Sequence, residues 1–231
     1  MNKTVKFIVE AVLFLAIIGL VFAIYSSIMK PVNFNKQVEK RQAVAVQRLK
    51  DIRTLQVAFK SVNGKFTADA DSLVDFYNNG KMKIIMQVGS ADDSLAWEHT
   101  QKVKKTLKGK DINQQLHALY DNGDKLLVFS DESEIAVKDT LFNGREDFVI
   151  DSIKFIPYSG GVPVLMDADV RMVSGVPVPL FEAKMPYKIL LKGLDNQLRI
   201  NLDAERKDQN KYEGLQVGSI TAPNNNAGNW E

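Results

Sequence analysis

The sequence of 231 residues contains no cysteine and only two histidines, His99 and His117. Without cysteine, the chain has no disulfide, iron–sulfur cluster, thiol nucleophile or cysteine-ligated zinc. Two histidines leave little material for a histidine metal cluster, so we interpret both as structural residues. The net charge of +2 is too small to indicate a protein that binds nucleic acid.

The sequence motifs of common catalytic sites are also absent. The chain has no G-x-S-x-G, G-x-x-x-x-G-K-[ST], G-x-G-x-x-G or H-E-x-x-H motif. Paired carboxylates such as Asp167 and Asp169 are common on protein surfaces and do not indicate a glycosidase without a known separation. The sequence therefore predicts a protein that is not an enzyme, with no catalytic residue, metal site or cofactor.

One long apolar segment is present, FIVEAVLFLAIIGLVFAIYSSIM at residues 7–29, with Glu10 as its one charged residue. As a helix it would measure about 35 Å, enough to cross a hydrocarbon core of about 30 Å. A buried helix of a soluble domain and a cleaved signal peptide are the alternatives, but residues 23–27 show no clean A-x-A cleavage pattern. We therefore predict a transmembrane signal anchor at residues 7–29 after a short head at residues 1–6.

The basic residues beside this span give conflicting indications of its orientation. Lys3 and Lys6 precede it, and the segment after it carries Lys30, Lys36, Lys40 and Arg41. A count of these residues favours a cytoplasmic location for the following domain. However, a short basic head before one span is the usual layout of a signal anchor, and long domains can be translocated regardless of charge.

A second helical pattern, predicted for residues 30–64, follows the span. Pro31 is expected to end or kink the first helix, and Asn63-Gly64 to stop the second. Apolar residues recur at helical spacing and predict one buried stripe, formed by Val38, Ala45, Leu49, Ile52, Leu55, Phe59 and Val62.

This second helix is also basic. Residues 30–60 have a net charge of +6, whereas residues 61–231 have a net charge of −5. A solvated helix face is one interpretation, and contact with anionic lipid headgroups or an acidic partner is the other. The candidate contact residues are Lys36, Lys40, Arg41 and Arg48.

The sequence after residue 64 predicts an α+β domain over residues 65–211 and an irregular, Asn-rich tail over residues 212–231. Helices are predicted at 71–79, in two pieces within 91–120, and at 194–208. Strands are predicted at 81–88, 125–129, 134–141, 148–157, 164–173 and 181–189. Ala168, Val170 and Met172 alternate and are expected to share one buried face.

Glu10 occupies the energetically least favourable position expected in this chain, because the free energy of a charged side chain inside a bilayer is high. It lies about one turn inside the apolar span. It is either a tolerated interfacial carboxylate, a docking residue that pairs with a cation on a neighbouring subunit, or a proton-exchange site.

The order of these features resembles the layout of type IV pilins and pseudopilins. A polar head, an apolar span with an early Glu, a proline, an amphipathic half-helix, the segment NGKF and a β-rich globule follow one another. The resemblance implies that Glu10 helps subunits to dock. The sequence departs from this family at the processing site, because Lys6-Phe7 stands where Gly-Phe is expected.

Several segments resemble a family of uncharacterised bacterial single-pass membrane proteins. They are residues 47–76, VKDTLF (137–142), IDSIKFIP (150–157), residues 179–198 and the tail YEGLQVGSITAPNNNAGNWE (212–231), of which the tail is the most specific. Genes of this family lie beside genes for ExbB/ExbD-type Ton motors. The resemblance implies a role in the cell envelope and a domain outside the inner membrane.

With the orientation that this resemblance implies, we predict a single-pass protein of the bacterial inner membrane with a cytoplasmic head at residues 1–6 and a periplasmic α+β domain. Its predicted role is that of a non-enzymatic accessory or structural subunit of a membrane complex, specifically a Ton-type motor with ExbB/ExbD-type partners. Homo-oligomerisation is a further expectation. The alternative is a pseudopilin-like component of a secretion or pilus assembly machine.

Overall fold

The computed structural model describes residues 3–90, 92–109 and 111–231. Residues 1 and 2 of the predicted head lie outside the described residues, as do residues 91 and 110 of the predicted helical region. The fold is α+β, as predicted. A long N-terminal helix precedes small antiparallel sheets and short helices.

The helices are α1 (Lys3–Asn63), α2 (Ala70–Asn79), α3 (Ser94–Thr106), α4 (Ile112–Asp121), α5 (Val137–Thr140), α6 (Tyr187–Leu190) and α7 (Asn196–Asp208), with a 3₁₀ helix at Ile150–Lys154. The strands are β1 (Lys81–Val88), β2 (Phe129–Ala136), β3 (Leu165–Val173), β4 (Val176–Pro186) and β5 (Gly214–Gly218). Strands β1 and β2 form an antiparallel pair, and the other three form an antiparallel sheet in the order β3–β4–β5.

The predicted end of the first helix at Pro31 is wrong, because α1 is one continuous helix of 61 residues. Its length is about 90 Å. Pro31 lacks the N–H that would donate to the Ser27 carbonyl. Strong helix-forming conditions on both sides outweigh this loss: the preceding residues are apolar, and Phe34 and Val38 are buried in the domain core. The predicted segments 7–29 and 30–64 therefore belong to a single helix.

The second half of α1 forms one wall of the main hydrophobic core. Leu49, Ile52 and Leu55 are fully buried, as the predicted stripe requires, and Phe59 is half-buried. Val62 is 48% exposed, so its predicted burial is wrong. The chain turns back after α1, and Phe66 packs on the sheet instead. The opposite wall comes from β4 and β5, with Phe181, Ala183, Met185, Leu215 and Val217.

Strands β3 and β4 form a hairpin whose outer half extends beyond the core. Ser174 and Gly175, with φ values of 50° and 83°, make the two-residue turn. The predicted buried face of β3 is wrong in this outer half, because Val170 and Met172 are 52% and 67% exposed. Strand β5 pairs only with residues 182–186 of β4, so it does not reach this part of the hairpin.

Strand β4 starts earlier than predicted and ends at Pro186, where α6 begins. Pro177 and Pro179 lie in its first half, and proline in a sequence argues against a central strand. Residues 176–181 pair with β3 alone, so this stretch has an open edge where proline is tolerated.

The predicted irregular tail at residues 212–231 contains a strand and is packed on the domain. Strand β5 pairs with the inner half of β4 and buries Leu215 and Val217. The Asn229 side chain forms hydrogen bonds with the edge of β5 that does not pair with β4. Its side-chain Nδ2 donates to the Gly214 carbonyl at 2.9 Å, and its Oδ1 accepts from the Gln216 amide at 3.1 Å.

Of the three strands predicted between residues 125 and 157, only residues 129 and 134–136 lie in a strand, β2, and the rest of these predictions is wrong. Residues 125–128 connect α4 to β2, and the Val128 amide donates to the Thr100 hydroxyl at 2.8 Å instead of to a strand. Strand β2 ends at Ala136, where α5 begins. Residues 150–154 form a 3₁₀ helix, in which the three-residue spacing of Ile150 and Ile153 places both side chains toward the core.

The β1–β2 pair connects the main core to a second, smaller one. Strand β1 is confirmed as predicted, and helices α3 and α4 confirm the two predicted pieces within 91–120. Leu116, Leu127 and Phe129 form the centre of the smaller core. Helices α3 and α4 therefore form a lobe at the end of a two-stranded ribbon.

Ile52→Ala is expected to lower the free energy of unfolding by about 2–5 kcal/mol, because it removes buried methyl groups and leaves a cavity. The measurement is thermal or denaturant unfolding of the detergent-solubilised chain. Val62→Ala is the matched control on the same helix, and its exposed side chain predicts a change within about 0.5 kcal/mol. Equal stabilities of the two variants would contradict the assignment of Ile52 to the core.

Candidate functional site

The first part of α1 has the surface of a membrane span. Between Val12 and Ile28 its large apolar side chains are exposed on every side of the helix, and no residue of its most apolar stretch is buried by the domain. A core helix of a soluble domain would instead bury one face. This helix is long and apolar enough to cross a membrane.

The structure places Glu10 near the start of this surface. Its carboxylate lies 3.9 Å from the ammonium group of Lys6, one turn earlier on the same helix, and both side chains are largely exposed. Such an i,i+4 pair partly neutralises the carboxylate within its own chain. A cation on another subunit would therefore have to replace Lys6 as the partner of Glu10.

The four basic candidates separate into two exposed and two structural residues. Lys36 and Lys40 lie exposed on α1, just beyond the span. Arg41 Nη1 donates to the carbonyls of Leu190 and Lys192 at 3.0 and 2.9 Å, which holds the end of α6 against α1. Arg48 Nη1 donates to the carbonyl of Phe155 at 2.6 Å.

The environment of Arg48 agrees with a structural role. Its side chain is half-buried, and desolvation by this burial lowers the pKa of its guanidinium. The group remains charged at neutral pH, because the ordinary pKa of arginine is far higher. Arg41 and Arg48 thus stabilise the domain, and Lys36 and Lys40 are left as candidates for contact with lipid or a partner.

A groove lies where α1 leaves the apolar span, and we name it the juxtamembrane groove. One wall is the last part of the span and the residues after it, and the other is the N-terminal end of α7. The volume is about 630 Å³. Its lining residues are Phe22, Ala23, Ser26, Ser27, Lys30, Pro31, Asp195, Gln197 and Leu198.

The local geometry of α7 fixes the second wall. Asp195 is the N-cap of this helix, and its Oδ1 accepts from the amides of Gln197 and Leu198 at 3.0 and 3.1 Å. Leu198 and Leu202 pack against the main core. Sequence reasoning missed this groove, because its two walls come from opposite ends of the chain.

A second cavity, of about 420 Å³, lies farther along α1 and is lined by an ion pair whose carboxylate is nearly buried. The Asp51 side chain is only 9% exposed. Its Oδ1 accepts from Arg145 Nη1 at 2.6 Å and from Gln47 Nε2 at 3.0 Å. The hydrogen bond to Asp51 raises the pKa of Arg145. This pair joins the loop before the 3₁₀ helix to α1.

Both histidines have acidic neighbours. His99 Nε2 lies 2.8 Å from Asp124 Oδ2, and His117 Nδ1 lies 3.0 Å from Asp121 Oδ2. Among the described residues, no group of three or more His, Cys, Asp or Glu side chains is arranged to hold a metal ion. The arrangement that the described residues do provide is an apolar helix with a groove of partly apolar and partly polar lining at its end.

Comparison of the chain with protein-family models, with curated proteins and with solved structures finds no match. The two resemblances in the sequence therefore remain expectations. The geometry of α1 and its surroundings is the basis for the function proposed below.

Arg145→Met is expected to destabilise the chain by about 1.5–3 kcal/mol, because it leaves the nearly buried Asp51 carboxylate without its charged partner. Chemical denaturation of the purified chain measures this loss. Arg171→Met is the matched control, since the Arg171–Asp169 pair is about half-exposed and worth about 0–1 kcal/mol.

Asp51→Asn combined with Arg145→Met provides a further check. The double variant should recover part of the stability that Arg145→Met loses, because no unpaired buried charge remains. Equal losses in the free energy of unfolding for Arg145→Met and Arg171→Met would show that the Asp51–Arg145 pair stabilises the chain no more than an exposed ion pair does.

Proposed function

We propose that this chain is a single-pass protein of the bacterial inner membrane and a non-enzymatic subunit of a membrane complex. The observation that supports this proposal is the continuity of α1. Its first part exposes apolar side chains on every side, and its second part is a wall of the domain core. One helix thus connects the bilayer directly to the folded domain.

The absence of a flexible linker has a mechanical consequence. Ser26 and Met29 are already half-buried, and Phe34 and Val38 are buried members of the core. The domain therefore starts at the end of the span, and the continuous helix fixes its distance from the span and its angle to it. Tilt or rotation of the span would move the whole domain, as expected of a subunit that positions or couples partners.

The proposed partners are the channel subunits of an ExbB/ExbD-type Ton motor. The resemblance of the sequence segments supports this choice. An exposed apolar span also offers its side chains to neighbouring transmembrane helices, which associate by close packing. In this proposal Lys36 and Lys40 contact lipid headgroups or an acidic partner surface, and the domain lies in the periplasm.

The pseudopilin-like alternative also has structural support. The long helix is exposed in its first part and packed on an antiparallel sheet in its second part, which agrees with the pilin-like order of features in the sequence. Membrane pull-down of the full chain separates the two proposals. Recovery of motor channel subunits supports the first, and recovery of an assembly ATPase with other pilin-like proteins supports the second.

The topology can be tested with reporter fusions after Lys60. If α1 crosses the inner membrane with its N-terminus in the cytoplasm, alkaline phosphatase fused there should be active, and a reporter that works only in the cytoplasm should be silent. The reverse pattern would contradict the periplasmic location and leave the single span intact. Extraction of the chain by alkaline carbonate would contradict the span itself.

Glu10→Gln is expected to reduce co-purification of partner subunits several-fold, because glutamine keeps the shape of the side chain and loses its charge. Complexes that still form should function. Lys6→Gln is the matched control: it removes the cation that lies 3.9 Å away in the same helix. If Glu10 docks against another subunit, Lys6→Gln should leave assembly unchanged.

Two other outcomes would contradict the docking role. Normal assembly of Glu10→Gln without function would indicate proton exchange. Equal and small effects of Glu10→Gln and Lys6→Gln would indicate only an exposed helix pair, worth about 0.3–0.5 kcal/mol.

A further inference from the structure

The juxtamembrane groove lies at the depth where a membrane changes from hydrocarbon to headgroups. Phe22 and Ala23 belong to the last turns of the apolar run, whereas Lys30 follows its final residue. A span of about 20 residues fills the hydrocarbon core, so this wall reaches from acyl-chain depth to headgroup depth. If α1 crosses a bilayer, the groove opens sideways into lipid.

Along α1, the lining of the groove changes from the apolar Phe22 and Ala23 through Ser26 and Ser27 to Lys30. Phe22, Ala23 and Leu198 supply apolar surface, and Ser26, Ser27 and Gln197 supply hydrogen-bonding groups. This gradient matches one end of an acyl chain followed by the glycerol and phosphate of a lipid. A volume of about 630 Å³ accommodates a ligand of moderate size.

The charges in the groove have opposite signs and lie on opposite walls. Lys30 on α1 supplies an ammonium group, which binds phosphate. Asp195 at the start of α7 supplies a carboxylate, whose Oδ1 caps the helix. A carboxylate has about four acceptor positions, so Asp195 can also accept from an ammonium group of a ligand.

We propose that the juxtamembrane groove binds a phospholipid with a primary-amine headgroup, of the phosphatidylethanolamine type. The lipid phosphate pairs with Lys30, its ammonium group donates to Asp195, and the start of an acyl chain lies along Phe22 and Leu198. This inference rests on the proposed membrane insertion of α1. A choline headgroup cannot donate the hydrogen bond to Asp195, and a glycerol headgroup leaves the Asp195 charge without a counterion.

The test is native mass spectrometry of the full chain, released from detergent that contains phosphatidylethanolamine, phosphatidylcholine or phosphatidylglycerol with identical acyl chains. The wild-type chain should retain the ethanolamine lipid about tenfold better than the choline lipid, as expected for one hydrogen bond between charged groups. Lys30→Gln should lower retention of every phospholipid. Lys50→Gln is the matched control, because this exposed lysine lies farther along the same helix and does not line the groove.

Asp195→Asn tests the headgroup selectivity separately. Asparagine is also a good N-cap, so α7 should remain folded, which circular dichroism would verify. This variant should retain phosphatidylcholine as well as the wild type does, and its preference for phosphatidylethanolamine should disappear.

Three results would overturn the inference. They are equal retention of the three lipids by the wild type, equal effects of Lys30→Gln and Lys50→Gln, and a lipid-free dimer in which a second copy fills the groove. Flotation of the chain with liposomes separates this failure from failure of the proposed function. A chain that floats without headgroup preference refutes the lipid site alone, whereas a chain that does not float refutes both.

Discussion

The burial of the second half of α1 in the domain core is the interaction on which the rest of the structure depends. Fully buried residues of this helix, Leu49, Ile52 and Leu55, face the sheet, so the sheet cannot form its core without α1. The burial of each such side chain contributes about 1.5–3 kcal/mol. Because the same helix continues without interruption into the apolar span, the stability of the domain and the position of the span are not independent.

Polar contacts along α1 then fix the parts of the chain that lie far from it in sequence. Arg41 holds the end of α6, Asp51 holds Arg145, and Arg53 Nη1 lies 2.7 Å from Glu231 Oε1 at the end of the chain. The Arg53 partner lowers the pKa of the Glu231 carboxyl. Some of the basic residues that the sequence places on α1, such as Arg41 and Arg53, thus stabilise the domain through contacts with distant segments.

Local sequence patterns predicted the elements that depend on local forces. The apolar run, the helical stripe through Ile52 and the strand Lys81–Val88 were all predictable, because spacing and composition decide them. Pro31 misled the prediction, since its local cost is smaller than the combined effect of an apolar helix before it and buried residues after it. The exposed state of Lys36 and Lys40 agrees with their position on the basic face.

Elements that depend on distant partners were not predictable in the same way. The tail forms β5 because β4 offers an unpaired edge, and this edge is not visible in residues 212–231 alone. Asn229 then hydrogen-bonds to the opposite edge of β5. Arg41 and Arg48 have the same charge and helix as Lys36 and Lys40, and only the positions of Leu190 and Phe155 distinguish them. The juxtamembrane groove likewise requires that α7 return to the start of the chain.

The height of the domain above a bilayer follows from features that coincide on α1. The apolar run ends at Met29, Lys30 follows it, and the first buried core residue is Phe34, about one turn farther on. Displacement of the helix by one turn toward the membrane would desolvate Lys30, and displacement by one turn away from it would expose Ile28 to water. Both are unfavourable, so a continuous helix without a linker can accommodate a thicker or thinner bilayer mainly by tilting. Since the domain is built on that helix, a change in tilt would move the whole domain and change which surface it presents to a partner.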